Sequence, residues 1–257
     1  MPRLPRSARA TLTRGVAPGV HRLAHAGVNC YLIEERDAVT LVDAALPGTW
    51  PLLLKALTAI GRSPSDVRAL VLTHAHFDHL GCARRIQEEW GVPVLAHPGE
   101  ATLARHPYRY AHENPRAVYP LRHPGGVPIL LAMAAAGAFT VKGVEELRFF
   151  GPAEVLDVPG RPRVVFSPGH TFGHCALLLA DASALLSGDA LVTLDPYTGF
   201  RGPRIVAGAA TANSRQALES LDALAATGAR VVLPGHGEPW RDGVDGAVLR
   251  ARDAGPS

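Results

Sequence analysis

The stretch His74-Ala75-His76-Phe77-Asp78-His79 follows directly on the apolar run Ala69-Leu70-Val71-Leu72. The run reads as a buried strand, so three imidazoles and a carboxylate fall on the loop at its C-terminal end. Open α/β folds place chemistry there, because loops aim side chains into a crevice that the strands hold rigid. Imidazole together with carboxylate suits zinc, iron or manganese. A closed structural zinc knot takes four ligands, mostly Cys, at finger-like spacing. Here one short loop supplies up to four candidates, with Asp78 directly before His79, and that density suits two metal ions. A lone His in such a place reads more simply as a satisfied core or solvated residue; this packed pattern does not.

Further along the chain, two more His-bearing turns follow apolar strands: Val164-Val165-Phe166-Ser167-Pro168-Gly169-His170-Thr171 and Val231-Val232-Leu233-Pro234-Gly235-His236-Gly237. In both, Pro-Gly punctuates the strand end and forces a turn, with a His next. Between them, Ala184-Leu185-Leu186-Ser187-Gly188-Asp189 is an apolar strand, a small-residue turn and a carboxylate. Each ligand candidate alone is weak; strand, turn and ligand repeated over most of the chain is not.

On these motifs the chain resembles the metallo-β-lactamase-fold hydrolases, in particular the broad glyoxalase II-like group. The resemblance is carried by His-x-His-x-Asp-His at 74 to 79, Pro-Gly-His-Thr-x-Gly-His at 168 to 174, Ser-Gly-Asp at 187 to 189, Pro-Gly-His-Gly at 234 to 237, and the early Leu41-Val42-Asp43, and it spans residues 18 to 240. It implies an α/β fold, a four-layer αββα sandwich. It also implies two divalent metal ions, zinc first, with iron or manganese as alternatives. His74, His76 and His170 would bind one ion, Asp78, His79 and His236 the other, and Asp189 would bridge them. A hydroxide shared by the ions would be the nucleophile, since paired cations about 3.5–4 Å apart lower the pKa of a shared water and stabilise the oxyanion. Asp78 would orient that nucleophile and shuttle its proton, the catalytic role. Asp43 would orient a ligand imidazole from behind, because ligating His usually gives its other N–H to a carboxylate or carbonyl. His174, at the start of the run His174-Cys175-Ala176-Leu177-Leu178, reads as a structural hydrogen-bonding His.

Departures from the pattern narrow the expectation. Metallo-β-lactamases carry Cys or Ser where this chain has Asp189, which disfavours β-lactamase-like amide hydrolysis, kept as an alternative. Lactonases of this fold often carry a Tyr after the bridging Asp; Tyr197 is a candidate substrate contact, at a different spacing. The expected function is hydrolysis of a small carboxyl ester, lactone or thioester. The alternative enzyme is a mononuclear iron persulfide dioxygenase on the same fold; the non-enzyme alternative is a metal-stabilised binding protein.

The 257 residues, 47% hydrophobic, suffice for a full core. A formal charge of +3 does not make the sequence pI near 9.0 a case for nucleic acid. The basic excess is partly local: Arg3, Arg6, Arg9 and Arg14 precede the first acid, Glu34. Residues 1–17 read as a flexible basic N-terminal arm, Pro-rich and frayed; the stretch resembles a transit peptide in composition and lacks the apolar core of a secretory signal. No apolar run is long enough to span a bilayer. Cys30, Cys82 and Cys175 are sparse and odd in number, which fits a reducing compartment and a cytoplasmic location. Cys82, just past the metal loop, reads as a buried thiol in the first turn of a helix. The expected partner is a small-molecule substrate, with neither nucleic acid nor membrane, and a homodimer is possible through the apolar helix described next.

The remaining sequence, 18–257, reads as one domain with a helical insertion at about 97–144. Val20 to Leu23, Cys30 to Glu34 and Val39 to Val42 are expected antiparallel strands. Trp50 to Ile60 is an amphipathic helix, and 79 to 90 is a helix stopped by Gly91 and Pro93. Strands are expected near 153 to 157, 162 to 167, 175 to 180 and 184 to 187, then a helix over Ser214 to Ala226 and a last strand at Val231 to Leu233. Between His97 and Val144 the alternation breaks into tyrosines, arginines and prolines around an apolar helix at Val127 to Ala138. That interval is a candidate lid or pocket wall, with Leu130, Leu131 and Met133 lining an apolar pocket and Arg109, Arg116 or Arg122 pairing a substrate carboxylate. Core packing, a solvated arginine face or a dimer contact are the competing readings.

Overall fold

Strand alternation sends successive side chains to opposite faces, and in this chain both faces are apolar. In the strand Cys175–Leu179, residues Cys175, Leu177 and Leu179 belong to one core cluster while Ala176 and Leu178 belong to another. In Val28–Glu35, Cys30 and Leu32 face one cluster, Tyr31 and Ile33 the next. Sheets buried on both sides require helices outside them, and two such sheets face to face give four layers.

The computed structural model describes residues 10–257. The first sheet has the order β1-β2-β3-β4-β5-β6-β7: β1 (Thr11–Ala17), β2 (Val20–His25), β3 (Val28–Glu35), β4 (Ala38–Val42), β5 (Val67–Val71), β6 (Val94–Ala96) and β7 (Arg148–Phe149). It is antiparallel from β1 to β4 and parallel from β4 to β7. The second sheet runs β13-β10-β9-β8, with β8 (Arg163–Phe166), β9 (Cys175–Leu179), β10 (Ala184–Gly188) and β13 (Val231–Pro234); β11 (Val192–Leu194) and β12 (Arg201–Arg204) form a separate pair. Residues from α1 (Trp50–Ala59), α3 (Ala83–Trp90) and α6 (Val127–Ala135) cover the outer face of the first sheet, and α7 (Ser214–Ala225) with α8 (Val244–Ala254) covers the outer face of the second. The middle cluster lies between the sheets, where Val42, Val71 and Ile33 meet Leu177, Leu186 and Leu233. This is the αββα sandwich that the motifs imply. The shorter helices are α2 (Phe77–Leu80), α4 (Ala101–Arg105) and α5 (Tyr119–Arg122).

Four expectations differ. Of the arm expected over 1–17, residues 1–9 lie outside the described residues, and Thr11–Ala17 is β1, paired antiparallel with β2. The helix expected over 79 to 90 is two, α2 and α3, broken at Gly81 and Cys82. Gly81 N and Cys82 N donate to the Ala45 and Ala44 carbonyls instead of to the preceding turn, and a Cβ at Gly81 would collide with the Ala45 and Leu46 backbone, so the chain is pinned flush against the β4 loop there. Instead of a strand near 153 to 157 there is one isolated bridge, Val155 to Arg163. The helix at 127 belongs to the first core: Ile129 and Met133 are buried in it, and Leu131 is exposed.

Candidate metal centre

The strand ends deliver the polar residues. The loop after β5 carries His74 to His79, the β8–β9 connection carries His170, Asp189 follows β10 directly, and His236 lies two residues past β13. All seven proposed ligand residues are buried, none more than 6% exposed. Two groups have ligand atoms within 4.8 Å of one another: His74, His76 and His170, and Asp78, His79 and His236. Asp189 stands between them. Its Oδ2 lies 3.5 Å from His170 Nε2, 3.9 Å from His74 Nε2 and 3.1 Å from His236 Nε2, and its Oδ1 lies 3.5 Å from His79 Nε2. Asp78 Oδ2 is 3.4 Å from His236 Nε2.

The far nitrogen of each ring decides what the near one offers. Thr73 donates its hydroxyl to Asp43 Oδ2 (2.8 Å) and so accepts from His74 Nδ1 at 3.0 Å. His79 Nδ1 donates to Asp43 Oδ2 at 2.9 Å, and His236 Nδ1 to the Gly27 carbonyl at 2.8 Å. Thr211 donates to the Val206 carbonyl and accepts from His170 Nδ1 at 3.3 Å. Four rings thus turn Nε2 toward the centre, where each offers a lone pair once its ring is neutral; His170 Nε2 also meets His76 Nδ1 at 2.9 Å. Of the five buried side-chain polar atoms without a hydrogen-bond partner among the described residues, four are here: Nε2 of His74, His76 and His79, and Oδ1 of Asp189. Buried orphans of this kind are costly unless something else satisfies them, and imidazole with carboxylate is a donor set that fits zinc, iron or manganese.

Asp43 also forms a compact group with His74 and His79. Both its oxygens are already engaged, Oδ1 by Thr73 N–H and Oδ2 by Thr73 Oγ1 and His79 Nδ1. Its φ of 59° is left-handed, a conformation Asp tolerates better than most residues. His174 is spent as well: Nδ1 meets Ser167 Oγ at 2.9 Å, and Nε2 accepts from Asp189 N and Ala190 N at 3.0 and 3.2 Å. The His236 loop is clamped from the first sheet. Asn29 Nδ2 donates to the Pro234 and Gly237 carbonyls (both 2.8 Å), Tyr31 donates to Pro234 O and Arg22 to Gly237 O.

Charge in the cluster is unbalanced. Burial alone would lower His79, but Asp189, Asp43 and Asp78 outweigh it and push it up to about 9. His236 rises well above its ordinary value in the same way, against burial and through Asp189 and Asp78. Burial would raise Asp189, yet His236 and His79 hold its carboxyl far below the usual range, and Asp78 is lowered likewise. Burial, then neighbouring imidazoles, drives His74 and His170 well down. Burial also takes His76 to about 4 and His174 to about 3. Convergent carboxylates therefore hold protons on two imidazoles, where cations would serve instead.

A narrow cavity opens on Asp78, Asp189 and His236, walled by Phe77, Tyr110, Pro196, Tyr197, Val206 and Ala210. Tyr197 is therefore at the site. Leu130, Leu131 and Arg109 are not in its wall, a correction to the sequence reading. Leu130 packs against the first core, Leu131 is exposed because the buried face of α6 is the one with Ile129 and Met133, and Arg109 is exposed. Two further residues belong to the surroundings of the site. Tyr110 lies tilted against the His76 ring, 4.4 Å between centroids, its hydroxyl 3.2 Å from that of Tyr197, with the Arg116 guanidinium 3.9 Å over its face. Glu100, 1% exposed, accepts from Ala75 N, Thr171 Oγ1 and Gly173 N. No local pattern marks either one; Glu100 in particular sits in an ordinary helix-start turn, Pro98–Glu100. Cys82 is buried at the start of α3 with its thiol toward Leu46 O, away from the cluster.

A family model for the metallo-beta-lactamase superfamily matches residues 25–236. The chain belongs to that superfamily. Among its relatives, the probable metallo-hydrolase YflN of Bacillus subtilis is 29% identical over 236 residues, 87% of this chain and 85% of its own. Among solved members, the metallo-beta-lactamase family protein TTHA1429 of Thermus thermophilus is 29% identical, with a TM-score of 0.65 over 91% of this chain and 78% of its own. TTHA1623, solved in a di-iron-bound form, is 26% identical, with a TM-score of 0.60 over 87% of this chain and 93% of its own.

Proposed function

We propose that this superfamily member is a dinuclear metal-dependent hydrolase of small carboxyl esters, lactones or thioesters. The observation that carries the reading is the pair of three-residue groups sharing Asp189, with Nε2 of His74 and His79 and Oδ1 of Asp189 buried and unpartnered between them. His74, His76 and His170 would hold one divalent ion, Asp78, His79 and His236 the other, with Asp189 common to both. Zinc suits the set, and the di-iron form of the relative TTHA1623 makes iron a second choice. Divalent ions held there would lower the pKa of a bound water and polarise a substrate carbonyl.

The chain's own residues do the rest. Asp78, ionised and on the cavity wall, accepts the proton of the attacking water and returns it to the leaving oxygen or sulfur. In the Tyr110–Tyr197 pair one phenol donates to the other, which leaves the acceptor's own proton free for a substrate oxygen. Phe77, Val206 and Ala210 exclude water and limit the acyl group to a small size. The test is elemental analysis of zinc-supplemented protein alongside a panel of esters, lactones and thioesters. The expected result is about two ions per chain and chelator-sensitive turnover of at least one class. Full activity with a single ion would overturn the dinuclear reading, and a silent panel would overturn hydrolysis.

A further inference from the structure

The loop of His74 and His76 leaves the first sheet, and the loop of His170 belongs to the second. One buried side chain ties them. Glu100 Oε2 accepts from Ala75 N, between His74 and His76, at 2.7 Å. Its Oε1 accepts from Thr171 Oγ1, next to His170, at 2.7 Å and from Gly173 N at 3.0 Å. The contact is close along its length: a Cβ at Gly173 would stand 2.7 Å from Glu100 Oε1 and 2.8 Å from Glu100 N. A buried carboxylate is expensive unless its lone pairs are filled, and here three donors fill them. A glutamine would turn an N–H2 toward at least one of those donors.

The other ligands are held by different means. The α2 turn that carries Asp78 and His79 is fastened by Ala44 N to His79 O and by Asp43 to the His79 ring. His236 is held by Gly27, with its loop fixed by Asn29, Tyr31 and Arg22. Glu100 touches none of these.

Resting on the dinuclear reading above, we infer that Glu100 is a positioning residue for the first metal position alone. It fixes the His74–His76 loop against His170 and so sets the affinity of that position independently of the second.

The experiment isolates each position. His236→Ala leaves the first position with its three ligands, and His170→Ala leaves the second. Zinc affinity is read by competition with a chromogenic chelator, with and without Glu100→Gln. Loss of a residue that orients ligands typically costs about 10–100-fold in metal affinity, so E100Q should weaken zinc at least about tenfold beside His236→Ala and less than about threefold beside His170→Ala. Equal weakening in both backgrounds, or in neither, overturns the role of Glu100 while the dinuclear reading stands. If the parent variants do not each hold one zinc, that reading fails and this inference with it. Melts of the chelator-treated proteins report folding. Should E100Q not fold, Thr171→Val removes one donor and leaves the other two, and the same selective weakening is expected, to a smaller degree; none, or an unselective one, overturns the inference.

Discussion

Around Asp189 the imidazoles do two different jobs, and hydrogen-bond partners separate them. His74, His79, His170 and His236 each spend Nδ1 on the scaffold and turn Nε2 inward. His174 spends both nitrogens on the scaffold, two of its three contacts holding the Asp189 and Ala190 amides. His174→Asn should therefore act on stability, leaving buried donors unsatisfied at about 1–3 kcal/mol each, with metal content retained. Asp189→Ala and Asp78→Ala should do the reverse: a melting temperature near that of the metal-free parent and turnover down at least ~10²-fold. Calorimetry with elemental analysis on the three variants checks both; a lost ion in His174→Asn would exchange the roles of His170 and His174. Why the cluster is readable from sequence is plain at this level. Its members are chemically distinctive and sit at strand ends, which local patterning reveals. Glu100 and Tyr110 are not distinctive. Their meaning comes from contacts across 71 and 87 residues, Glu100 with Thr171 and Tyr110 with Tyr197, and no local pattern encodes those.

Among the elements, the interval from 97 to 144 divides by function. Tyr110 reaches the cavity, whereas α6 fills the first core through Ile129 and Met133. An apolar helix can serve a pocket, a partner or a core, and α6 is apolar nearly all round, so its sequence does not choose among them. The structure does. Met133→Ala should cost ~2–5 kcal/mol, as buried large-to-small changes do, without changing substrate ranking. Leu131→Ala, at 65% exposed, should change little. Tyr110→Phe should leave the melt intact and lower kcat/KM. Thermal melts paired with kinetics separate these outcomes, and altered substrate ranking in Met133→Ala would return α6 to the pocket. The same logic explains which elements the sequence reveals. β3, β5, β9, β10 and β13 are apolar on both faces and read as continuous runs. β1 is half exposed, β7 is two exposed residues, and β12 carries two arginines, so none shows a pattern. The break between α2 and α3 comes where the Ala45 and Ala44 carbonyls take the N–H groups of Gly81 and Cys82, a tertiary fact.

Across the fold as a whole, the four layers bring carboxylates from both sheets to one buried place, Asp43 and Asp78 from the first and Asp189 from the second. Without cations, that negative charge retains protons. His79 is pushed up to about 9 and His236 is raised in the same direction, against ~6.5 for an unfolded imidazole. The folded metal-free chain thus keeps protons that the unfolded chain releases above about pH 6.5, so their stabilising contribution is full below that pH and is lost as pH rises toward about 9. His74, His76, His170 and His174 shift the opposite way. Their contribution is present above about pH 6.5 and is lost only on acidification, so it does not change on the alkaline side. The buried thiols, Cys82 and Cys175 pushed up to about 12, add the same alkaline loss only above about pH 8.5, with or without metal. The window from about pH 6.5 to 8.5 therefore isolates the metal-centre imidazoles. In it the melting temperature of chelator-treated protein should fall with rising pH. That of zinc-loaded protein should rise relative to it, because bound ions replace the two protons and no longer compete with them. Zinc affinity should climb over the same window, with protons released on binding, measured by titration calorimetry in buffers of different ionisation enthalpy. A metal-free melting temperature that is flat or rising there, or binding without proton release, would mean that the carboxylates around Asp189 hold no protons on His79 and His236.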